Sequence, residues 1–454
     1  MPQNPTLPAE PGTESGSSDA RTTDTDIPDT GPTTSTTEPT TTARAKVVRY
    51  LIGLASVFTA VHVAGVHFGL WHTFIDLAVY RAGAHALLND LPLYGNMTLI
   101  DGPVGLPFTY PPTAAIAFVP LALFGPALAQ AAVFASTLIC LGVVLWIVLD
   151  RLRPELDVLA KVAIISTLVF VFEFVEPVRT TMGFGQVNVV LMLAIVLDTL
   201  TRARYWPRGL LIGIAVAIKL TPAVFLLFFL LRKDWRAAAT MVVSTVATIG
   251  LGWLLLGGDS KQYWLHTLWD TERIGAPWFA NNQSFKGMLS RFAFAELWET
   301  GLWLALCGAA LVLAAVWMRR LLSAGDTHGA LLVNALLVLL VSPVSWTHHW
   351  VWAAPALVIA GHVLYTRQPR DPLRIGVFSV VALIFTIGPT WLLPRGDNRE
   401  LDWSWWLHLL GNSYLIIGVA VLIVGVVYSG RNKRESKDSE QDSPAQDASA
   451  APAS

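Results

Sequence analysis

Asp76 and Tyr80 lie four residues apart in the stretch FIDLAVYRAGAHALLNDLPLYG, residues 74–95. On a helix that spacing puts a carboxylate and a phenol on one face, while Leu77 and Arg81 share the next. A carboxylate at the mouth of an apolar bundle is costly unless it is solvated or used. Its alternative role is structural, because Asp is a favoured N-cap and Asp76 precedes a helical run. Both readings stay open on spacing alone. Leu77, Val79, Ala82, Ala86 and Leu87 make the segment half apolar, which suits a helix lying in the membrane interface.

Four further polar sites interrupt apolar sequence. In PFTYPPT, Pro111 disfavours a helical Tyr110 and Pro112 can open the next helix. Lys219, in AIKLTP, is an ionisable group within an apolar segment beside a break at Pro222. It could neutralise a phosphate or a carboxylate, or snorkel if it sits near the segment end. Glu173 and Glu176 precede VRTTMGFGQVN, where Arg179, Gln186 and Asn188 add groups that could line a cavity. APWFANNQSFKG supplies Asn281, Asn282, Gln283, Ser284 and Lys286. Amides both donate and accept, as recognition of sugar hydroxyls needs, although an ordinary polar turn has the same composition.

SPVSWTHHW, residues 342–350, holds adjacent histidines. His348 and His349 would diverge by about 100° on a helix, so they do not converge on one metal. A neutral imidazole there could donate to a phosphate or take a proton, or simply pack. His62, His67 and His72, five apart, share no helix face. No P-loop, dinucleotide fingerprint, HExxH or CxxC is present. The two cysteines, Cys140 and Cys307, sit inside apolar runs, which argues against a disulfide framework.

The elements that must position these groups are apolar. Of 454 residues, 54% are hydrophobic and 14% charged, about half the charge of a soluble domain, and mean hydropathy is +0.53. A net charge of −1 gives no reason to expect a nucleic-acid partner. Twelve apolar segments stand out: 48–68, 112–124, 127–149, 157–176, 187–201, 208–231, 236–256, 299–318, 328–343, 348–365, 374–393 and 408–428. The expectation is an all-α membrane protein, a polytopic transmembrane helix bundle of about 12 spans with an interfacial helix in its first outward loop. Segments 112–124 and 187–201 are short for ~30 Å of hydrocarbon. Trp71, Trp206, Trp235, Trp403, Trp405 and Trp406 mark segment ends, where indole rings favour the interface.

Basic clusters orient the bundle. Arg44, Lys46 and Arg49; Arg232, Lys233 and Arg236; Arg319 and Arg320; Arg367, Arg370 and Arg374; and Arg431, Lys433 and Arg434 fit a cytoplasmic side holding both termini. Loops 69–111, 257–298, 344–347 and 394–407 then face outward. Arg151/Arg153 and Arg202/Arg204/Arg208 conflict with this count. Residues 1–43, rich in Thr, Pro and Ser, and 431–454 read as disordered tails around a membrane domain, 44–430. The first apolar run follows some 45 polar residues and reads as a retained signal anchor.

In order, the motifs are DLxVYRxGxxxLLxxxxLY (76–94), FTYPP (108–112), GQVN (185–188), KLTP (219–222), NNQS (281–284) and SPVSWTHHW (342–350). Together they resemble glycosyltransferase family 87 of the GT-C superfamily, the polyprenyl-phosphate-mannose-dependent α-mannosyltransferases of actinobacterial cell envelopes. The resemblance covers nearly all of 46–428; the long Thr-rich N-terminal tail is not part of the family pattern. It implies that Asp76 is the general base of the first outward loop, deprotonating an acceptor sugar hydroxyl. It implies Arg81, Lys219, His348 and His349 as groups meeting the departing lipid phosphate. Tyr80, Tyr110, Gln186, Asn188, Asn281, Asn282 and Gln283 are the implied sugar or acceptor contacts. The implied reaction is inverting and forms an α-1,2 linkage in lipoglycan or phosphatidylinositol mannoside synthesis, with the lipid-linked sugar as co-substrate. No cofactor is expected, and since no clustered ligand set appears in the sequence no metal site is assigned and metal dependence stays open. A transporter or flippase for a lipid-linked sugar is the alternative, but such proteins commonly carry internal repeats, which this chain lacks. A purely structural scaffold explains neither Asp76 nor the NNQS and HHW loops.

Overall fold

The computed structural model describes residues 41–67, 73–95, 106–201 and 205–441. Contacts divide the chain into Met1–Ala45 and Lys46–Ser454. Of the first unit, only the opening turn of α1 is described, and the expected disorder of 1–40 and 442–454 lies outside the described residues, as do Trp71, His72, Arg202 and Arg204. Helices make up the second unit; the described residues hold one isolated bridge, Asn282 to Trp346, and no named strand.

The order is α1 (Thr41–His67), α2 (Ile75–Leu88), α3 (Pro112–Leu123), α4 (Pro126–Leu152), α5 (Val158–Phe172), α6 (Glu176–Phe184), α7 (Asn188–Leu200) and α8 (Leu210–Ile218). A 3-10 turn, Thr221–Phe225, leads into α9 (Leu226–Leu231). Then come α10 (Trp235–Leu255), α11 (Gly257–Leu265), α12 (Phe285–Ser290), α13 (Glu296–Ser323) and α14 (Thr327–Val341). After a 3-10 turn at Thr347–Trp352 follow α15 (Ala353–Thr366), α16 (Pro372–Ile387), α17 (Trp405–Gly411) and α18 (Ser413–Gln441). α18 therefore runs on into the segment read as the C-terminal tail.

This is a helical membrane protein, but helix length does not carry twelve simple spans. Among the described residues five helices are long and apolar enough to cross: α4, α10, α13, and the apolar parts of α1 and α18. A sixth arises only if α5 and α6, bent by 77°, count as one. The reasons are local. α3 has 12 residues, a rise of about 18 Å, and contains Pro120. Segment 208–231 is broken because Lys219 is extended (φ −147°, ψ 124°) and Pro222 opens a new turn. The 348–365 segment likewise begins as a 3-10 turn.

The break at Lys219 folds the chain back on itself. Arg208 donates to Asp234 at 2.9 Å, so the start of α8 and the end of α9 sit side by side, with Lys219 at the far tip. The basic clusters gather at this same end. Arg232, Lys233 and Arg319 line one cavity with Thr327, and Arg151 lies within electrostatic reach of His328. Arg153 and Glu155 approach Tyr365 and His362, and Arg367 donates to Tyr428. Asp157, Asp234, Asp326 and Asp371 cap α5, α10, α14 and α16 with their carboxylates, each a favourable use of a negative charge at a helix start. Of the interface tryptophans, Trp235, Trp405 and Trp406 are exposed, whereas Trp206 turns inward onto Asp198 and Trp403 onto the Pro394 carbonyl.

α8 lies against α10 through Gly209-x-x-x-Gly213, a small-residue spacing that lets backbones meet. Ser244 Oγ donates to the Leu210 carbonyl at 2.9 Å and Thr245 Oγ1 to that of Gly213 at 3.2 Å. A Cβ on Gly213 would stand 2.6 Å from both the Met241 carbonyl oxygen and Ser244 Cβ. Replacing Gly213 by Leu should push the hairpin off α10 and destabilise the protein by about 1–3 kcal/mol, read as a lower melting temperature in detergent. An unaltered melting temperature would contradict so close an approach.

Candidate active site

Three chain breaks meet at the end of the bundle opposite the basic clusters: the loop between α6 and α7, the tip at Lys219, and the turn at Thr347–Trp352. α2 closes over them. Its N-cap is Phe74, in the left-handed region (φ 42°), and Asp76 stands in the first turn without capping anything. The capping role is thus not taken, and the carboxylate is left available. The Phe74 amide donates to the Gly183 carbonyl at 2.9 Å, tying α2 to the end of α6. Gly185 (φ +70°) makes this approach possible, since a Cβ there would lie 2.7 Å from Leu77 Cβ.

That docking sets Asp76 beside Gln186. Asp76 Oδ2 is enclosed with no hydrogen-bond partner. α2, 14 residues long, is too short to cross a membrane. Burial pushes the Asp76 carboxyl up from its usual range to about 6, while the Gln186 amide and the Lys219 ammonium pull the other way. Gln186 also closes a ring: Tyr80 donates to its Oε1 at 2.8 Å, its Nε2 donates to the Tyr110 hydroxyl at 3.3 Å, and the two hydroxyls are 3.1 Å apart. Tyr80 stacks on Phe118, with ring centroids 4.1 Å apart. The ring holds three side chains in one geometry, so the neighbour of the carboxylate is fixed before any ligand arrives.

Lys219 Nζ donates to Asn188 Oδ1 at 3.0 Å and lies 3.2 Å from His349 Nε2. An ammonium has three protons to give and no acceptor, so His349 accepts here through a neutral ring. Lys219 also stands 5.8 Å from the Tyr110 ring centroid. Asn188 Nδ2 donates to the His348 carbonyl at 2.8 Å, and so does Thr181 Oγ1, which locks the two breaks together. The His348 ring packs edge-on against His349 and Phe184, its Nε2 buried and unpartnered. A cavity of about 50 Å³ adjoins Asn188, Lys219 and His349 and continues along Leu191, Met192, Phe225 and Leu339. Snorkelling does not describe Lys219, which faces this cluster.

Asp76, Tyr80, Tyr110, Gln186, Asn188, Lys219, His348 and His349 are therefore brought together. Arg81 is not: its guanidinium donates to the Leu121 and Phe124 carbonyls and fastens α2 to the end of α3. Nor are the amides of Asn282 and Gln283 free, since both are spent within the fold. Asn282 spends both donors on the Pro277 and Pro343 carbonyls and its oxygen on Ser345 N and Ser284 Oγ. Gln283 donates to the Ala280 and Gly411 carbonyls and accepts from Tyr414 N. Asn281 is buried with its side-chain oxygen unpartnered. His62 makes no cluster; its Nε2 lies 3.1 Å from Glu173 Oε2. Among the described residues no group of three His, Cys, Asp or Glu could hold a metal ion.

Two buried groups act as hubs, a role that sequence reading assigns to neither Glu176 nor Arg291. Glu176 accepts from Thr180, Thr347, Trp391 and Tyr414, three of which lie more than 170 residues away. Arg291 donates to the Trp278, Phe279 and Asn282 carbonyls and to Asn412 Oδ1. Nothing in local spacing announces either one.

A family model, glycosyltransferase family 87, matches residues 108–343. The chain is 40% identical over 383 residues to a Mycobacterium tuberculosis protein named polyprenol-phosphate-mannose-dependent alpha-(1-2)-phosphatidylinositol mannoside mannosyltransferase, covering 80% of this chain and 88% of that one. A Mycolicibacterium smegmatis protein of the same name is 40% identical over 408 residues, covering 83% and 90%. A second M. smegmatis protein, 38% identical over 359 residues (77% of this chain and 84% of that one), is named for a phosphatidylinositol pentamannoside acceptor. No solved structure gives a significant match.

If the NNQS amides serve the fold, Gln283→Leu should lower thermal stability by about 1–3 kcal/mol, because it strands the Ala280 and Gly411 carbonyls and the Tyr414 amide. A variant as stable as the parent but impaired in ligand binding would return Gln283 to the role of a ligand contact.

Proposed function

The chain belongs to glycosyltransferase family 87, and on that footing we propose that it transfers mannose from a polyprenyl-phosphate donor to a phosphatidylinositol mannoside or related lipoglycan acceptor, forming an α-1,2 bond with inversion. Its relatives' names supply donor, linkage and acceptor class. The observation that carries the mechanism is the convergence of Asp76, Lys219 and His349 on one site.

The acceptor hydroxyl attacks the anomeric carbon and gives its proton to Asp76. The bond from that carbon to the phosphate oxygen breaks, and the lipid phosphate leaves with the electron pair. Lys219, held by Asn188 and His349, balances the charge that grows on the phosphate. One base suffices for a single inverting displacement, and the Tyr80–Gln186–Tyr110 ring keeps that base in place. Arg81 is left out of this reading, because its Nη1 donates to the Leu121 and Phe124 carbonyls at the end of α3. His348 is a neighbour of the phosphate site rather than a base, and the 281–283 loop shapes the wall.

We read the basic end as cytoplasmic. α3 then packs without crossing, and 208–231 contributes two passages instead of one. These two changes restore an even count of about twelve passages, put both termini inside, and bring Arg151, Arg153 and Arg208 to the side where basic residues belong. The site faces the opposite, outer side, with α2 as its interfacial cover. Residues 44–430 are the catalytic domain, with 1–43 and 431–454 as flanking tails.

Asp76→Asn should leave the protein folded and reduce transfer of labelled mannose from polyprenyl-phosphate mannose by about 10²–10⁴-fold; retained transfer would remove Asp76 from the role of base. The base must be ionised, so activity should rise with pH through about 6 and fall below it, whereas an ordinary aspartate would sustain activity to about 4. Lys219→Met should weaken donor use by about 10²-fold or more with little change in acceptor KM. Equal effects on donor and acceptor would argue against a phosphate contact.

A further inference from the structure

At the end of the bundle away from the catalytic cluster, a cavity of about 430 Å³ opens between the close of α9 and the α13–α14 junction. Arg232, Lys233 and Arg319 line it together with the hydroxyls of Ser323 and Thr327, and Leu231 and Leu322 complete the wall. No acidic residue lines it. Of the neighbouring carboxylates, Asp234 accepts from Arg208 and caps α10 while lying within electrostatic reach of Arg232, and Asp326 caps α14 through Gly329 N. Lys233 and Arg319 are both exposed and have no recorded ion pair among the described residues. Thr327 begins α14, whose positive dipole end adds to the same field.

Three cations and a helix start around one open cavity favour an anion. The two leucines decide which kind, since a free inorganic anion has no use for apolar wall, whereas a phosphoglycerol headgroup passes directly into acyl chains. The cavity has room for such a headgroup, and basic pockets between helices at a membrane surface are a recurrent mode of lipid recognition. We propose that Arg232, Lys233 and Arg319 form a binding site for the phosphate headgroup of an anionic phospholipid at the basic end of the bundle. The site is separate from the sugar-transfer centre and does not depend on the donor or acceptor assigned there.

The test uses the full-length protein in detergent, with melting temperature and native mass spectrometry as readouts. Phosphatidylglycerol should raise the melting temperature saturably and remain bound in the mass spectrum, while phosphatidylcholine at the same concentration should do neither. Each cation at a membrane surface contributes about fivefold in affinity, so Lys233→Gln with Arg319→Gln should weaken phosphatidylglycerol binding about thirtyfold. Mannose transfer measured without anionic lipid should be unchanged. The proposal is overturned if the double variant binds phosphatidylglycerol as the parent does, or if inorganic phosphate alone reproduces the stabilisation. Should the double variant not fold, Arg319→Gln alone carries the test at an exposed position, with a loss of about fivefold expected and no loss counting against the site.

Discussion

An ammonium and a carboxylate share the interior of a bundle built for hydrocarbon, and the fold is organised around holding both there. Charged groups in such surroundings persist only with partners. Lys219 has Asn188 and His349; Asp76 has Gln186 beside it and Lys219 within electrostatic reach. Supplying those partners requires the chain to stop being helical at three places, because a helix spends its backbone on itself. Gln186, Lys219, His348 and His349 lie at the three breaks (185–187, 219–220 and the turn at Thr347–Trp352) and Asn188 directly after the first, and side-chain hydrogen bonds tie the breaks to one another.

The same economy explains the irregular segments around 276–284 and 342–346. Asn282, Gln283, Arg291 and Glu400 are all essentially buried, and their partners are mostly backbone carbonyls and amides of irregular segments. Irregular backbone at or near membrane depth survives only when its polar groups are paired within the protein. These side chains do that pairing, joining 276–284 to 342–346 and to the start of α18. Glu176 performs the equivalent task underneath, collecting two threonines, an indole and a phenol.

Much of the centre was legible in the sequence, for a physical reason. A charge within an apolar stretch demands explanation, so Asp76 and Lys219 stand out, and GQVN and HHW stand out beside them. Arg81 misleads because a guanidinium can satisfy helix-end carbonyls as readily as a phosphate. NNQS misleads because ligand contacts and structural latches draw on the same amides, and its partners at Gly411 and Tyr414 lie some 130 residues on. The span count misleads because hydropathy registers apolar content and not helix length. Segment 208–231 is long enough for one crossing, and only the extended Lys219 before Pro222 betrays that it is two short legs.

Those two legs bear on how the protein is assembled. α8 has nine residues, a rise of about 14 Å, less than half the hydrocarbon thickness. Neither leg is long enough to settle in a bilayer alone, and the tip carries a lysine. The hairpin therefore depends on the helices it packs against. α10, synthesised after it, is the partner its Gly209 and Gly213 are shaped to meet. The segment that carries Lys219 thus finds its close-packed partner in a helix that follows it in the chain, so its position is set by sequence not yet made when the segment itself is complete.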